Sequence, residues 1–265
     1  MKILAIGDPH GKIPQIKNLV KKEKPDIILC TGDFADDLGI TKKIFKNWGK
    51  PWWIKIGKKK GKEIVKKSEQ KGRKVLEYLS KLRIPVYYIA GNHEKRNSFG
   101  KRVLKNKNLN FRHNQKKKIK DYNFIFHGGY MEPKIFMNPR TLGITKEETL
   151  ERKKRHDSEK KKIENLFKKS KGKKIFVTHF PPYLHFDKIK NKQSPMDGKH
   201  IGVKAYSDLI KKYKPELYIC GHMHENPGIK KIGKTTAVCL GLSHKYVYIL
   251  DIDGKTEIKR KKISK

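Results

Sequence analysis

Apolar positions along the chain gather into short dense runs, and most of the runs belong to one repeated construction. An amphipathic stretch and a short connector lead to four or five apolar residues, which end at a polar residue of metal-binding type. The first copy predicts a helix from Ile13 to Lys22, with Ile13, Ile16, Leu19 and Val20 on one face. Lys24-Pro25-Asp26 ends it, and Ile27-Ile28-Leu29-Cys30 reads as a buried strand leading to Gly32-Asp33. The order returns almost verbatim near the other end. There Leu209-Ile210-Lys211-Lys212 passes through Lys214-Pro215-Glu216 to Leu217-Tyr218-Ile219-Cys220 and then Gly221-His222.

Two looser copies lie between. A helix carrying Ile64, Val75, Leu76, Leu79 and Leu82 precedes Val86-Tyr87-Tyr88-Ile89 and Gly91-Asn92-His93-Glu94. Another starts near Thr145, which has capping-box spacing to Glu148, runs to about Lys169 and precedes Ile175-Phe176-Val177-Thr178-His179. After Glu225 the texture changes to short segments at 229–232, 235–240, 246–252 and 256–261, separated by Gly233, Gly241 and Gly254, which read as antiparallel strands. Strands that are apolar on both faces and alternate with helices predict an α/β fold. The expected architecture is a four-layer α-β-β-α sandwich, two mixed β-sheets flanked by helices, in a single domain spanning residues 1–265.

Composition changes this picture little. Apolar residues make up 35% of 265, so the core must be concentrated in those dense strands. No run approaches the ~18 residues of a membrane span. The N-terminus enters a strand-like run with no separate signal-peptide segment, so a cytoplasmic protein is expected. Cys30, Cys220 and Cys239 sit in or beside apolar strands and read as buried reduced thiols. The formal charge of +40 would suit nucleic acid, but it comes from 57 lysines and only nine arginines, spread along the whole chain. That reads as compositional bias on solvated faces, although a cluster such as Lys58-Lys59-Lys60 would attract polyanions.

The chemistry lies at the strand ends, where functional residues of open α/β sheets gather. Five blocks follow five predicted strands: Asp8-Pro9-His10, Gly32-Asp33, Gly91-Asn92-His93-Glu94, His179, and Gly221-His222-Met223-His224. Residues i and i+2 of an extended chain point the same way, so Asp8 with His10, and His222 with His224, can each converge. Carboxylate, imidazole and amide oxygen together suit first-row divalent metals, and no thiolate is present to suggest structural zinc. A lone histidine is usually a satisfied core or surface residue. Five such blocks at five strand ends are not explained that way.

These blocks, in the order D-x-H, G-D, G-N-H-E, T-H and G-H-x-H, resemble the calcineurin-like metallophosphoesterase superfamily from about Ile3 to His224. His179-Phe180-Pro181-Pro182-Tyr183, His200-Ile201-Gly202 and Gly221-His222-Met223-His224-Glu225 make the chain most similar to its Icc-related, cyclic-nucleotide-phosphodiesterase-like branch. The resemblance implies two divalent ions, with manganese expected and iron, zinc, cobalt or nickel also compatible. Asp8, His10, Asp33 and His224 would hold one, and Asp33, Asn92, His179 and His222 the other, with Asp33 shared. It implies that His93 is not a ligand but an acid or charge stabiliser near the leaving group. The implied activity is hydrolysis of a phosphodiester, and of phosphomonoesters as a further option, by water that the metal pair activates.

Weaker candidates surround this set. Glu94 either orients His93 or caps the following turn. Pro9 departs from the small or β-branched residue expected between Asp8 and His10, adding stiffness. His200, in the irregular segment from Tyr183 to Gly202, and His127, after Phe124-Ile125-Phe126, are candidate substrate-binding residues. The bland reading of His127 as a structural residue is the stronger one. His113, His156 and His244 read as surface or structural residues. Trp48, Trp52 and Trp53 form an aromatic cluster near Asp33, with packing the default and nucleobase stacking or a subunit contact the alternatives.

A small phosphate ester is therefore the expected partner, without a membrane. A nuclease acting on DNA or RNA and a homo-oligomer stay open. A catalytically silent binding protein should have lost ligands, yet all seven are present with His93. Protein-phosphatase activity is disfavoured, because Phe34-Ala35-Asp36-Asp37 follows Asp33 where that family carries Asp-Arg-Gly.

Overall fold

In a computed structural model of the chain, which describes residues 1–94, 99, 106–138, 145–254 and 256–263, the apolar runs become strands of two six-stranded mixed sheets. Strands β1 (Lys2–Ile6), β2 (Ile27–Cys30), β3 (Val86–Tyr88) and β4 (Leu109–Phe111) run parallel in the first. In the second, β5 (Gln115–Ile119) lies antiparallel to β6 (Tyr122–His127), which continues in parallel through β7 (Lys174–Thr178) and β8 (Leu217–Cys220). Next, β9 (Gly228–Ile232) and β10 (Thr235–Cys239) form a hairpin whose second strand pairs with β8. The chain then returns to the first sheet as β11 (Tyr246–Asp251) against β1 and β12 (Glu257–Lys262) against β11.

Period-two alternation sends each central strand's side chains to two different cores. In β1, Ile3 and Ala5 face a core shared with Ile175 and Val177 of β7 and Leu217 and Ile219 of β8, so this core lies between the sheets. Leu4 and Ile6 face the opposite way, toward Val75, Leu76 and Leu79 of a long outer helix. On the far side Phe176, Tyr218 and Cys220 meet Ile163, Phe167, Leu209 and Ile210 of two further helices. Helix, sheet, sheet and helix layers follow, as expected from the sequence. Truncating a fully buried aliphatic such as Ile219 in the central layer would cost about 2–5 kcal/mol.

The described residues include helices α1 (Lys17–Glu23), α2 (Ile40–Lys46), α3 (Lys58–Ser80), α4 (Lys146–Lys168) and α5 (Lys204–Tyr213), and a 3-10 turn at Lys134–Met137. The capping box at Thr145 and Glu148 is present in both directions. Among the described residues no helix is long and apolar enough to cross a membrane. The three cysteines are buried and free.

Two expectations are corrected. The first helix begins four residues late, because Pro14 disfavours helical backbone at Ile13, which is left 40% exposed. The C-terminal strands are not all antiparallel, since β10 runs parallel to β8. The loop from Gly221 to Pro227 carries the chain away from β8, and the β9–β10 hairpin brings it back in the same direction.

Candidate metal centre

The loops that follow β1, β2, β3, β7 and β8 meet at one end of the two sheets, and their polar residues fall into two sets sharing a carboxylate. Asp8, His10, Asp33 and His224 form one set, and Asp33, His179 and His222 the other, with ligand-type atoms in each within 4.8 Å of one another. Asn92 joins the second through its Oδ1, 2.8 Å from His179 Nε2. The convergence point is Asp33 Oδ2, which lies 3.4 Å from His179 Nε2, 3.7 Å from His10 Nε2 and 3.9 Å from His93 Nε2.

The backbone brings these groups together in an unexpected way. His10, Asp33 and His222 all sit in the left-handed region, at φ of 45°, 51° and 66°. The chain is therefore not extended at either histidine pair, and tight left-handed turns make the side chains converge. Such backbone costs L-residues roughly 1–2 kcal/mol each and persists where surrounding contacts enforce it. Those contacts are present: His10 N donates to Asp33 O at 2.9 Å, and His222 N donates to Asp8 Oδ2 at 2.6 Å. Gly91 and Gly221 permit the close approach, because a Cβ at either would stand 2.0 Å from Asp33 Oδ1 or 2.3 Å from Asp8 Oδ1.

Two of the imidazoles are oriented by their second nitrogen. The Nδ1–H of His10 donates to the Ala35 carbonyl at 3.2 Å, and that of His179 to the Thr31 carbonyl at 2.8 Å. Both Nε2 atoms therefore face the cluster, and each would present a lone pair to an ion once its imidazole is neutral, the outer-shell arrangement usual for metal-binding histidines. Meanwhile Asp8 Oδ1 is buried with no hydrogen-bond partner, and His10 Nε2 lies 3.1 Å from His224 Nε2. A buried carboxylate oxygen without a partner, beside crowded imidazole nitrogens, is what divalent cations would satisfy. The donor set, mixed nitrogen and oxygen without sulfur, fits such ions.

The electrostatics follow from this crowding. Burial alone would raise the Asp33 carboxyl, but the charges of His179 and His93 outweigh it and hold the group well below the usual range. Burial would lower His179, yet the Asp33 charge and hydrogen bond push it up to about 9. His222 moves the other way, well below the usual value, through burial and the neighbouring His179 charge. His10 is also lowered, chiefly by burial, so these two imidazoles are already neutral at pH 7.

Among the described residues Glu94 bonds backbone groups and not the His93 side chain, while the turn that follows it lies outside the described residues. Glu94 is buried and accepts from Asp33 N at 2.9 Å, Ala35 N at 2.8 Å and Gly91 N at 2.7 Å, tying the loop after β2 to the loop after β3. Burial, then the Asp33 charge, push it up to about 8 against the backbone donors. His93 donates its backbone N–H to Asp33 Oδ1 at 3.0 Å and lines the cavity above the centre.

That cavity, about 900 Å³, corrects the weaker assignments. His127 does not line it. It is buried, within 2.6 Å of the Tyr206 hydroxyl and 3.5 Å of Glu159, and helps join β6 to α4 and α5. His200 does not line it either, because Asp187 holds its Nδ1 at 2.6 Å on another face. The segment containing His200 does contribute, through Ile189, Met196 and Ile201. His244 is not a remote surface residue but part of the lining. Of the three tryptophans only Trp48 reaches the cavity, with its ring 6.4 Å from Phe136, while Trp53 packs on Gly61 of α3.

Arg152, on α4, also lines the cavity, bonded to Glu132 at 3.2 Å. Nothing in the lysine-rich run around it distinguishes this arginine in the sequence.

Comparison with known proteins agrees with this geometry. The family model for calcineurin-like phosphoesterase matches residues 1–226. An uncharacterized protein of Methanocaldococcus jannaschii is 27% identical over 251 residues, covering 94% of this chain and 91% of its own. A solved structure from Thermus thermophilus aligns over 99% of both chains with a TM-score of 0.61 at 15% identity. A dimetal phosphatase from Danio rerio aligns over 100% of this chain and 99% of its own, with a TM-score of 0.52 at 10% identity.

Proposed function

This chain belongs to the calcineurin-like phosphoesterase family, and from that premise we propose that it hydrolyses a phosphodiester with two divalent metal ions, manganese supporting activity in vitro. The observation that carries the reading is the single carboxylate, Asp33, shared by two complete donor sets. Asp8, His10, Asp33 and His224 would hold one ion, and Asp33, Asn92, His179 and His222 the other. Bound there, the ions supply Lewis acidity that activates water and neutralises charge on the phosphate.

The protein's own groups do the rest. The Nδ1–H groups of His10 and His179 are held by backbone carbonyls, so their Nε2 atoms are oriented before a ligand arrives. Glu94 fixes the separation of the Asp33 and Asn92 loops. His93 lines the cavity with its Nε2 3.9 Å from Asp33 Oδ2, a placement that supports proton donation to the departing oxygen.

A diester is favoured over a monoester by the charge of the cavity wall. Lys12, Arg152 and Lys245 share the lining with Asp36, Asp37 and Glu225, Arg152 being already paired with Glu132 and Asp36 with Lys71. A singly charged phosphate needs less compensation than a dianion. The nuclease reading gains no support, since Lys58, Lys59 and Lys60 do not line this cavity.

The test is hydrolysis of bis-p-nitrophenyl phosphate, p-nitrophenyl phosphate and single-stranded DNA at two salt concentrations, after chelation and Mn²⁺ re-addition. The diester should turn over fastest and with little salt dependence. Faster monoester turnover would overturn the diester preference. DNA cleavage that falls steeply with salt would favour the nuclease.

A further inference from the structure

We infer that the cavity above the metal centre has an apolar subsite that binds an alkyl or aryl group on the substrate, so that the natural substrate is a phosphate ester of an apolar alcohol. The inference rests on the phosphodiesterase reading above and specifies which esters that site would accept.

A phosphate fills only a small part of about 900 Å³, a volume toward the upper end for a small-molecule site. One part of the remaining wall is made by Ile44 and Phe45 of α2, Trp48 just beyond it, Phe136, Ile189 and Met196. Most of these side chains are not core residues: Ile44 is 37% exposed, and Phe45, Trp48, Phe136 and Ile189 are half-buried. In a chain that covers its solvated faces with lysine, α2 keeps Lys42 and Lys46 off the cavity and turns Ile44 and Phe45 into its lining. A partly exposed run of apolar side chains turned into a cavity is the usual lining of a small-molecule site.

The two polar side chains next to this part of the wall already spend an acceptor oxygen within their own loop. The Asn191 side-chain oxygen accepts the Gln193 N–H at 3.0 Å, and the Ser194 hydroxyl accepts the Met196 N–H at 3.1 Å. Both are engaged in shaping the loop. A polyhydroxylated alcohol would exchange water for hydrocarbon here, whereas an alkyl or aryl group would gain about 25 cal/mol for each Å² it buries.

The probe is a series of n-alkylphosphonates, from methyl to hexyl, binding to the Mn²⁺-loaded full chain, followed by calorimetry. Affinity should rise about two- to fourfold with each methylene added. The gradient should flatten in Trp48→Ala and in Ile44→Asn, with inorganic phosphate binding unchanged in both. Ile44 is exposed, so its replacement keeps the test open if the tryptophan variant does not fold.

A flat series, no binding of any chain length, or tighter binding of glycerol phosphate than of the hexyl probe would overturn the subsite. Rapid hydrolysis of alkyl p-nitrophenyl phosphates with kcat/KM independent of chain length would sink the subsite and leave the diesterase standing. A clear chain-length gradient in binding, with no ester hydrolysed, would sink the diesterase and leave the subsite standing.

Discussion

The two walls of the cavity are built on opposite principles. The metal wall consists of short loops leaving the ends of buried strands, and His10, His179 and Asp8 are held twice, once by the chain and once by a further hydrogen bond. The opposite wall is drawn from a seven-residue helix, a 3-10 turn and a long irregular segment, and its side chains are half-buried hydrocarbon. Positioning nitrogen and oxygen atoms around an ion needs accuracy of tenths of an ångström, which rigid strand ends supply. Receiving an apolar group needs only area of the right character, which loops can provide. Changes to the first wall should therefore act on chemistry and stability together, and changes to the second on substrate choice alone.

The sharpest challenge to this division is His93→Ala. Hydrolysis should fall about 10²–10⁴-fold while both ions remain bound, as read by kinetics and metal analysis of the same sample. Loss of an ion would make His93 a ligand and move it to a different role.

Glu94→Ala should come next in consequence. It leaves three backbone N–H groups of the metal wall without their acceptor, and stability measured by urea unfolding should drop by about 3 kcal/mol or more. A change below about 0.5 kcal/mol would mean that the loops do not depend on this brace.

The pH dependence of the metal-free protein gives a smaller, signed effect. His179 is raised from 6.5 to about 9, so its pairing with Asp33 stabilises fully below 6.5 and is lost as pH rises through 9. Glu94, raised to about 8, acts in the same direction. The Tm of chelated protein should fall across this window. Loading with Mn²⁺ should release protons, because a ligating imidazole must be neutral. A Tm that rises with pH would contradict the pairing.

Least of all should follow from replacing Lys58, Lys59 and Lys60 together with glutamine. They lie outside the cavity at the start of α3, where positive charge is unfavourable to the helix. Diester turnover should be unchanged and stability altered by no more than about 0.5 kcal/mol. A large loss of activity would mean that the basic surface takes part.

How far the sequence revealed all this differs between the same two walls. Buried strands such as Ile27–Cys30 and Leu217–Cys220 stand out because both faces are covered, and the metal-binding residues stand out because each directly follows such a strand. The order of the blocks carried the family. By contrast β5, Gln115–Ile119, is an edge strand of exposed polar residues and shows no periodic signal. The Glu94 brace was hidden because its partners, Asp33 and Ala35, are about sixty residues away. His127 and His200 follow apolar or irregular segments like the true lining residues do, and only packing against Tyr206 and Asp187 separates them. Arg152 and Ile44 reach the cavity through tertiary placement of helices that look ordinary in one dimension.

The most direct test of the central claim is metal content and activity measured on one titration. Chelated protein is reloaded stepwise with Mn²⁺, bound ions per chain are counted, and hydrolysis of bis-p-nitrophenyl phosphate is followed beside Asp33→Ala. Two ions per chain should bind, activity should appear as the second is taken up, and Asp33→Ala should lose both the paired ions and at least about 10³-fold in turnover. Full activity with a single ion, or undiminished turnover in Asp33→Ala, would contradict a centre built on a shared carboxylate.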